Sequence, residues 1–405
     1  MTTEIKNINV IETKIQSKKS DKLIPSLRFS EFVGEWEKKE IGETCLVKTG
    51  GRDTQDKIND GQYPFFVRSN TVERINSYSF DGEAILTSGD GVGVGKNFHY
   101  INEKFDYHQR VYALHTFKED YSGKFIYQVF VEKFYKRVMR LSAKNSVDSV
   151  RMGMITEMKI GFPKLEEQEK IAKFLTSVDT KIQQLTRKKE TLNQYKKGVM
   201  QQLFSQQIRF KKNDGTDFPG WQEKKLGELT YKVGKKNKKN IQYPIYSINN
   251  KEGFLPQSQQ FDGLDSNVRG YDITLYKIVE SETFAYNPAR INVGSIGYSY
   301  DLVKVIVSSL YICFKTKEEL DDLYLLAYLD TYSFQKDILR YEEGGVRQYL
   351  FYENFSMIKV PFPSIKEQEK IATYLSAIDM KIAKVETQIS QTALFKKGLL
   401  QQLFV

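Results

Sequence analysis

Two short segments of the chain contain residues that could bind a phosphate or act on a nucleotide. The first is Gly89–Lys96, whose sequence Gly-Asp-Gly-Val-Gly-Val-Gly-Lys approaches that of a phosphate-binding P-loop. A P-loop requires Gly where Asp90 stands and Ser or Thr where Asn97 stands, so we do not expect this segment to bind a nucleoside triphosphate. Two interpretations remain open: a glycine-rich turn that brings backbone N–H groups and Lys96 close to a phosphate, or an ordinary hairpin turn.

The second segment, Tyr286–Ala289, reads Tyr-Asn-Pro-Ala. It approaches the Asn-Pro-Pro-aromatic motif of amino-methyltransferases but lacks the second proline and the aromatic residue, so no cofactor site is predicted there. Metal chemistry is not indicated either, because the few candidate ligands lack metal-ligand spacing. These candidates are Cys45, Cys313, His99, His108 and His115. The sequence therefore predicts no catalytic residue and no metal site.

The charge of the chain favours a binding role. Its formal net charge is +10, which favours a polyanionic partner. Basic residues are concentrated in two runs, Arg187–Lys189 and Lys235–Lys239. Each run is also compatible with a solvated helix face or a flexible loop, so charge alone does not identify the partner.

The elements that carry these residues are duplicated along the chain. Three phrases occur twice, and the second copy keeps the order of the first. The pairs are Glu167–Ala172 with Glu367–Ala372, Lys196–Phe204 with Lys396–Phe404, and Trp36–Glu43 with Trp221–Glu228. An internal repeat of this kind sets the architecture, so we expect two similar units.

The first two of these phrases lie in segments that predict long helices. Apolar residues recur there at alternating steps of four and three residues, which is the heptad pattern of a coiled coil. They are Ile171, Leu175, Val178, Ile182, Leu185, Leu192, Val199 and Leu203 in the first copy, and Ile371, Leu375, Ile378, Ile382, Val385, Ile389, Leu399 and Leu403 in the second. We expect the two helices to pair with each other in antiparallel orientation. The alternative is that each packs on its own unit or on a partner protein.

The remaining residues predict two mixed α/β domains. A chain of 405 residues is long enough for two domains that each bury a core. Residues 125–141 and 320–339 have helical spacing, whereas short apolar runs predict strands. The strand candidates are Glu83–Thr87, Val111–Leu114 and Val303–Val307. Residues 82–150 have no convincing counterpart in residues 263–350, so we expect the two domains to differ in what they bind.

Nothing in the sequence predicts a membrane protein. No apolar run approaches the roughly eighteen residues of a spanning helix. The polar start Met1–Glu4 is not typical of a secretory signal. We therefore expect a cytoplasmic protein.

The order of these parts resembles the DNA-specificity subunit of type I restriction-modification enzymes. In that family a variable segment precedes a Phe-Pro-x-(Leu/Ile)-x-Glu-Gln-x-x-Ile-Ala helix, and the arrangement repeats. The helix phrase occurs here at Phe162–Ala172 and Phe362–Ala372, and the phrase Trp-x-x-x-x-(Ile/Leu)-Gly-Glu also occurs twice. The resemblance covers the chain from about Leu23 to Phe404.

The resemblance implies two globular target recognition domains separated by two long helices that form an antiparallel coiled coil, with a pseudo-twofold internal repeat. The implied divisions are a flexible N-terminal tail at 1–22, target recognition domain 1 at 23–163, a central conserved helix at 164–207, target recognition domain 2 at 208–363 and a C-terminal conserved helix at 364–405.

The family's function implies a non-catalytic chain. Each domain would bind one half of a bipartite site on double-stranded DNA, while methyltransferase (modification) subunits methylate adenine and motor-nuclease (restriction) subunits cleave DNA. No cofactor is expected on this chain, whereas S-adenosylmethionine, ATP and magnesium are expected on the partner subunits. The helix residues expected to contact partners are Glu167, Gln168, Ile171, Glu367, Gln368 and Ile371.

Bases are read by side chains that offer paired donors and acceptors, chiefly Arg, Lys, Asn and Gln. In the first domain the candidates for DNA binding are Arg68, Ser69, Asn70, Lys96, Arg110, Lys144, Asn145 and Arg151. In the second domain they are Asn249, Asn250, Asn287, Arg290, Asn292, Arg347, Gln348 and Tyr349. Two alternative functions remain open: the specificity subunit of a type IIB-like restriction system, and a repeat scaffold that binds only proteins.

Overall fold

The computed structural model describes residues 22–142, 149–260, 263–300, 302–345 and 348–405. The chain divides into two compact units: unit 1 consists of Met1–Thr186 and Thr387–Val405, and unit 2 consists of Arg187–Glu386. In the part of the chain that the structure describes, no helix combines the length and the hydropathy needed to cross a membrane.

Unit 1 contains a mixed sheet with helices packed against it. Its strands are β1 (Glu37–Glu40), β2 (Leu46–Thr49), β3 (Tyr63–Phe66), β4 (Val72–Ile75), β5 (Phe80–Ser88), β6 (Phe98–Tyr107), β7 (Val111–His115) and β8 (Lys159–Phe162). Its shorter helices are α1 (Ile41–Thr44), α2 (Gly123–Leu141) and α3 (Met152–Thr156). The predicted strands at Glu83–Thr87 and Val111–Leu114 and the helix at 125–141 are therefore confirmed.

Six strands of unit 1 form one sheet in the order β2-β7-β5-β6-β3-β4. All neighbours are antiparallel except β3 and β6, which run parallel where Phe65 lies opposite Asp106. Strands β1 and β8 form a separate antiparallel pair. This order brings the end of β5 and the start of β7 together, since Ser88 lies opposite Val111.

Helix α2 covers the sheet of unit 1 with an aromatic face. Ser122 caps its N-terminus by accepting a hydrogen bond from the backbone N–H of Phe125. Phe130 and Phe134 stack with ring centroids 4.3 Å apart, and Phe98 of β6 meets Phe130 edge to face at 5.5 Å. Burying a side chain of this size stabilises the fold by about 1.5–3 kcal/mol, so this face fixes the helix on the sheet.

A long helix, α4 (Leu165–Phe204), leads from unit 1 into unit 2. The strands of unit 2 are β9 (Gln222–Lys225), β10 (Thr230–Val233), β11 (Ile245–Asn249), β12 (Gly253–Pro256), β13 (Lys277–Glu280), β14 (Phe284–Tyr286), β15 (Ile296–Tyr298), β16 (Lys304–Val307), β17 (Ile312–Thr316) and β18 (Lys359–Phe362). Its shorter helices are α5 (Leu226–Leu229), α6 (Gln257–Gln260), α7 (Asp322–Leu329), α8 (Tyr332–Tyr341) and α9 (Tyr352–Phe355). A second long helix, α10 (Ile365–Leu403), ends the chain.

The sheets of unit 2 repeat the strand order of unit 1 in two pieces. They run β10-β17-β14-β15 and β12-β11-β16-β13, while β9 pairs with β18. The order matches that of unit 1 if β13 and β14 together correspond to β5, and β15 and β16 together correspond to β6. The divergent middles of the two domains therefore share one topology, which the sequence comparison did not reveal.

The long strands are interrupted in unit 2 for a local reason. Glu282 has a left-handed backbone with φ +56°, which breaks the strand between β13 and β14. The hydroxyl of Ser299 then accepts a hydrogen bond from the N–H of Thr283 and donates one to the carbonyl of Glu280. The Ser299 hydroxyl thus pairs two backbone groups, the N–H of Thr283 and the carbonyl of Glu280, where the strand is interrupted.

The helical spacing at 320–339 corresponds to two helices, α7 and α8, rather than one. Thr331 lies between them with an extended backbone, and its hydroxyl accepts a hydrogen bond from the N–H of Phe334. This N-cap starts a new helix, because it satisfies a backbone donor that a continuous helix would pair internally.

The long helices α4 and α10 pack against each other within each unit. In unit 1 the start of α4, including Leu175, shares a buried core with the end of α10, including Leu399. In unit 2 the end of α4, including Val199, shares a core with the start of α10, including Ile378. The helices are therefore antiparallel, and the predicted pairing within one chain is confirmed.

Polar positions of the helix seam form ion pairs across the two helices. In unit 1, Lys396 lies 2.7 Å from Asp179. In unit 2, Lys196, which corresponds to Lys396 in the sequence repeat, lies 2.7 Å from Asp379, and Lys189 lies 2.5 Å from Glu386. The lysines that interrupt the heptad pattern thus meet carboxylates on the opposite helix, which fixes the register of the pair.

Candidate nucleic-acid interface

The predicted DNA-binding residues of unit 1 that the structure describes cluster at one end of its sheet. Arg68, Ser69 and Asn70 follow β3, and side chains near the start of β6 hold this segment in place. The side-chain amide of Asn97 donates to the carbonyl of Arg68 at 3.2 Å. His99 Nε2 lies 3.2 Å from the carbonyl of Ser69, and burial lowers the pKa of this histidine. Both Arg68 and Asn70 are exposed to solvent.

The glycine-rich segment is the connection between the antiparallel strands β5 and β6. A strand and not a helix follows it, which is not the structure of a P-loop. A turn that brings backbone N–H groups and Lys96 close to a phosphate remains compatible with this hairpin. The side chain of Asn97 occupies this position only beside a glycine, because a Cβ at Gly93 would lie 2.0 Å from the side-chain nitrogen of Asn97. Lys96 is exposed, with its ammonium 5.5 Å from the centre of the Tyr135 ring.

The hairpin is held against two other segments of the same surface. The N–H of Gly89 donates to the carbonyl of Arg110 at 2.7 Å, and the N–H of Val150 donates to the carbonyl of Gly89 at 2.7 Å. Arg110 and Arg151 are both exposed. These backbone contacts gather Arg68, Lys96, Arg110 and Arg151 around one hairpin, where exposed cations can meet phosphates or base edges.

One residue of this surface was not predicted. Asp90, in the hairpin, lies 3.1 Å from the guanidinium of Arg68 and 3.8 Å from that of Arg110. Burial and the neighbouring Arg68 lower the pKa of the nearby His108. The sequence offered no signal for this cluster, because its members are far apart along the chain.

The predicted residues of unit 2 also share one end of their sheets. Asn249 ends β11, where its side-chain oxygen accepts from the N–H groups of Lys251 and Glu252 at 2.9 and 2.6 Å. Asn287 follows β14, and its side-chain oxygen accepts from the N–H of Ala289 at 3.0 Å. The side-chain oxygens of these two asparagines therefore stabilise turns at this end of the sheets.

The other candidates of unit 2 are displayed around those turns. Asn250, Arg290 and Asn292 are exposed. Gln348 donates to the carbonyl of Gly344 at 2.9 Å, and the Tyr349 ring stacks on Phe351 with centroids 5.7 Å apart.

Backbone contacts join the segments of unit 2 that carry these residues. The N–H of Leu350 donates to the carbonyl of Pro288, which brings residues 348–350 to the Asn287 turn. The hydroxyl of Ser295 donates to the carbonyl of Ile248, beside Asn249. Three further candidates, Lys144, Asn145 and Arg347, lie outside the described residues.

The helix residues expected to contact partner subunits are buried inside their own units. Glu167, Gln168, Ile171, Glu367, Gln368 and Ile371 are each at most 1% exposed. Their side chains are therefore not available to a partner protein in this structure. The exposed apolar residues of α10 include Met380, Leu394 and Phe395.

The buried glutamates have a structural role. Glu167 accepts two hydrogen bonds from the guanidinium of Arg28, at 2.7 and 2.6 Å. Glu367 accepts two from Arg209, at 3.1 and 2.8 Å, and one from the Trp221 indole at 3.0 Å. Each pair ties the segment before a domain to the helix that follows it.

The buried glutamines bind backbone atoms only. Gln168 accepts from the N–H of Ser122 and donates to the carbonyls of Asp120 and Pro163. Gln368 makes the same three bonds with the N–H of Asp321 and the carbonyls of Glu319 and Pro363. The repeated Glu-Gln phrase thus fixes each domain on its helix.

No group of three or more His, Cys, Asp or Glu side chains within the described ranges is arranged to hold a metal ion. The chemistry that the two sheet ends offer is hydrogen bonding and charge. Exposed guanidinium, ammonium and amide groups lie there on backbone that other hydrogen bonds hold in place. Such groups suit contacts with phosphates and base edges.

Comparison with known proteins agrees with these features. The family model described as the type I restriction modification DNA specificity domain matches residues 34–194 and 219–393. A putative type I restriction enzyme MjaX specificity subunit of Methanocaldococcus jannaschii is 30% identical over 66% of this chain, and the match spans 64% of that relative's length. The type I restriction enzyme EcoDI specificity subunit of Escherichia coli is 23% identical over 91% of this chain and 87% of its own length.

A solved structure shows the same fold. It is the S subunit of a type I restriction-modification system from M. genitalium, with a TM-score of 0.64 and 19% sequence identity, covering 94% of this chain and 99% of that one. The family model matches both repeats and most of the chain. The chain therefore belongs to the type I restriction-modification DNA specificity family and carries two of its domains.

Proposed function

We propose that the two sheet-end surfaces of this type I specificity subunit each bind one half of a bipartite site on double-stranded DNA. Unit 1 offers four exposed cations around its hairpin, and unit 2 offers Arg290 and exposed amide groups around its turns. Arg and Lys recognise guanine and phosphate, whereas Asn and Gln recognise adenine. The two surfaces therefore suit different base sequences.

One observation carries this proposal: equivalent backbone positions hold different side chains in the two units. The carbonyl of Gly89 accepts from the N–H of Val150, and the carbonyl of Pro288 accepts from the N–H of Leu350. The residue before the donor is Ser149 in unit 1 and Tyr349 in unit 2. A common frame that presents different chemistry is what recognition of two unlike half-sites requires.

The partner subunits would supply the chemistry. We propose methyltransferase subunits that methylate adenine with S-adenosylmethionine, and motor-nuclease subunits that use ATP and magnesium, while this chain catalyses no step. The names of the relatives support this division, because they describe specificity subunits of restriction enzymes. A role on cellular DNA would place the chain in the cytoplasm.

Sequencing of methylated adenines tests the proposal directly. We expect a host that expresses the chain with its methyltransferase subunits to carry one bipartite methylated motif. Replacing Leu23–Gly161 with the matching segment of a relative should change one half of that motif and leave the other half intact. A change in both halves would contradict independent binding by the two units.

A salt titration separates this function from a scaffold that binds only proteins. The affinity of the assembled complex for duplex DNA should fall with a log–log slope of about −0.9 for each phosphate contacted. A slope near zero would exclude a DNA-binding role. A type IIB-like system would give the same slope, but in that system the purified complex would cleave DNA beside its own site.

A further inference from the structure

A carboxylate stands among the cations of the unit 1 surface. Asp90 lies 3.1 Å from Arg68 and 3.8 Å from Arg110, and its side chain is 25% exposed, compared with 46% and 67% for the two arginines. Within this cluster the carboxylate is the group that a DNA phosphate would repel. Its position at the surface therefore opposes indiscriminate binding of DNA.

The backbone of unit 1 holds Asp90 in this position. Its neighbour Gly89 bonds to Arg110 on one side and to Val150 on the other, both at 2.7 Å. A Cβ at Gly89 would come within 2.8 Å of the carbonyl of Arg110, so the close approach depends on glycine. Asp90 itself forms a β-bridge with Ser149. The carboxylate is thus fixed beside the arginines by the fold.

Unit 2 lacks this carboxylate. The carbonyl of Pro288 accepts a hydrogen bond from the N–H of Leu350, just as the carbonyl of Gly89 accepts one from the N–H of Val150. Pro288 therefore corresponds to Gly89, and the next residue, Ala289, corresponds to Asp90. Arg290 follows it and is exposed. Among the residues of unit 2 that the structure describes, no carboxylate forms an ion pair with Arg290. The two surfaces therefore differ in charge at equivalent positions.

We propose that Asp90 is a specificity-determining residue, which disfavours DNA unless an amino group of cytosine or adenine faces it in the major groove. On other DNA sequences, Arg68 and Arg110 must break their ion pairs with Asp90 to reach phosphates. The carboxylate then faces the DNA without a hydrogen-bond donor. On the cognate half-site the base amino group donates to Asp90, as carboxylates accept from cytosine N4. This inference rests on the proposed DNA-binding function.

The test compares Asp90→Asn with Asp81→Asn in the full chain assembled with its methyltransferase subunits. Asp81 is exposed near the opposite end of β5, so its substitution makes the same change in net charge away from the cluster. The measurements are affinities for a duplex with the methylated motif and for a duplex of equal composition without it, each over a series of salt concentrations.

Relative to Asp81→Asn, we expect Asp90→Asn to raise affinity for the duplex without the motif about threefold, and to steepen its salt slope by about 0.9 for one added phosphate contact. Affinity for the motif should fall about tenfold, because the base amino group then donates to a neutral amide oxygen in place of a carboxylate. The methylated motif should become degenerate at one position of one half-site. The inference would be overturned if the ratio of the affinity for the duplex with the motif to the affinity for the duplex without it were the same in both variants.

A second variant keeps the test decisive if Asp90→Asn does not fold. Ala289→Asp places a carboxylate beside Arg290 in unit 2, and should weaken binding of the duplex without the motif about threefold and flatten its salt slope by about 0.9. Unchanged or stronger binding would overturn the inference. A wild-type complex that does not prefer its motif would instead contradict the proposed function itself.

Discussion

Removing Arg209 should destabilise unit 2 strongly. Its guanidinium makes two hydrogen bonds to Glu367, whose side chain is 0% exposed, whereas that of Arg209 is 26% exposed. Arg209→Met leaves this buried carboxylate with only the Trp221 indole as a donor. Removing one partner of a buried pair costs about 3–5 kcal/mol, and the partial exposure of Arg209 favours the lower end, about 3 kcal/mol.

The two tryptophans of the chain make this loss measurable in unit 2 alone. A Trp36→Phe background leaves Trp221 as the sole tryptophan, so its fluorescence reports the unfolding of unit 2. With a urea dependence of about 2 kcal/mol per molar, the expected loss lowers the unfolding midpoint by about 1.5 M. Adding Glu367→Gln to Arg209→Met should restore part of the midpoint, because the unpaired charge is then absent.

A matched control separates this effect from a general change in charge. Lys211 lies two residues from Arg209, its side chain is 67% exposed, and it reaches Asp217 only at 4.0 Å. Lys211→Met should change stability by less than about 0.5 kcal/mol. If Arg209→Met shifts the midpoint no more than this control, the buried ion pair does not hold the domain on its helix.

Three further outcomes are expected. Gly93→Ala should displace Asn97, because the new Cβ would lie 2.0 Å from its side-chain nitrogen, and the methylated motif should lose definition in one half-site only. Thr331→Ala should lower the free energy of unfolding of unit 2 by about 1 kcal/mol, since α8 loses its N-cap. Burial raises the pKa of both Cys45 and Cys313 to about 11, so at pH 8 both thiols should react with a disulfide reagent only after unfolding.

The first two of these predictions have matched control variants, and the third has a result that would contradict it. Gly51→Ala places a Cβ where nothing lies within 4 Å and should leave the motif intact. Thr191→Ala, at an exposed position of α4 in unit 2, should change stability by less than about 0.5 kcal/mol. Rapid reaction of either thiol in the folded protein would show that its sulfur is reached by solvent.

The repeat and the long helices could be predicted because their signals are local. Identical phrases mark the two copies, and the spacing of residues such as Leu175 and Leu375 specifies a seam without reference to the rest of the fold. These features depend on neighbours in the sequence.

The remaining features depend on residues that are distant in sequence. The common sheet order of the two domains was not visible, because interruptions such as that at Glu282 alter the apolar pattern of corresponding strands. The pairing of Asp90 with Arg68 and Arg110 required the folded sheet. The family resemblance implied partner contacts for the Glu-Gln phrase, because its bonds to Arg28 and Arg209 join residues that are far apart in the sequence and could not be predicted.

The hydrogen bonds of Gln168 and Gln368 affect how the gene for this chain can exchange one recognition domain for another. Each amide forms hydrogen bonds with backbone N–H and carbonyl groups of the domain before it, which any residue other than proline provides. A foreign domain can therefore make these bonds with its backbone, and the side chain that it must supply is an arginine in the place of Arg28 or Arg209 for the buried glutamate. Recombination with a junction within the codons of the repeated Glu-Gln phrase would exchange a whole target recognition domain in one event. The chain could acquire a new specificity without passing through unfolded intermediates.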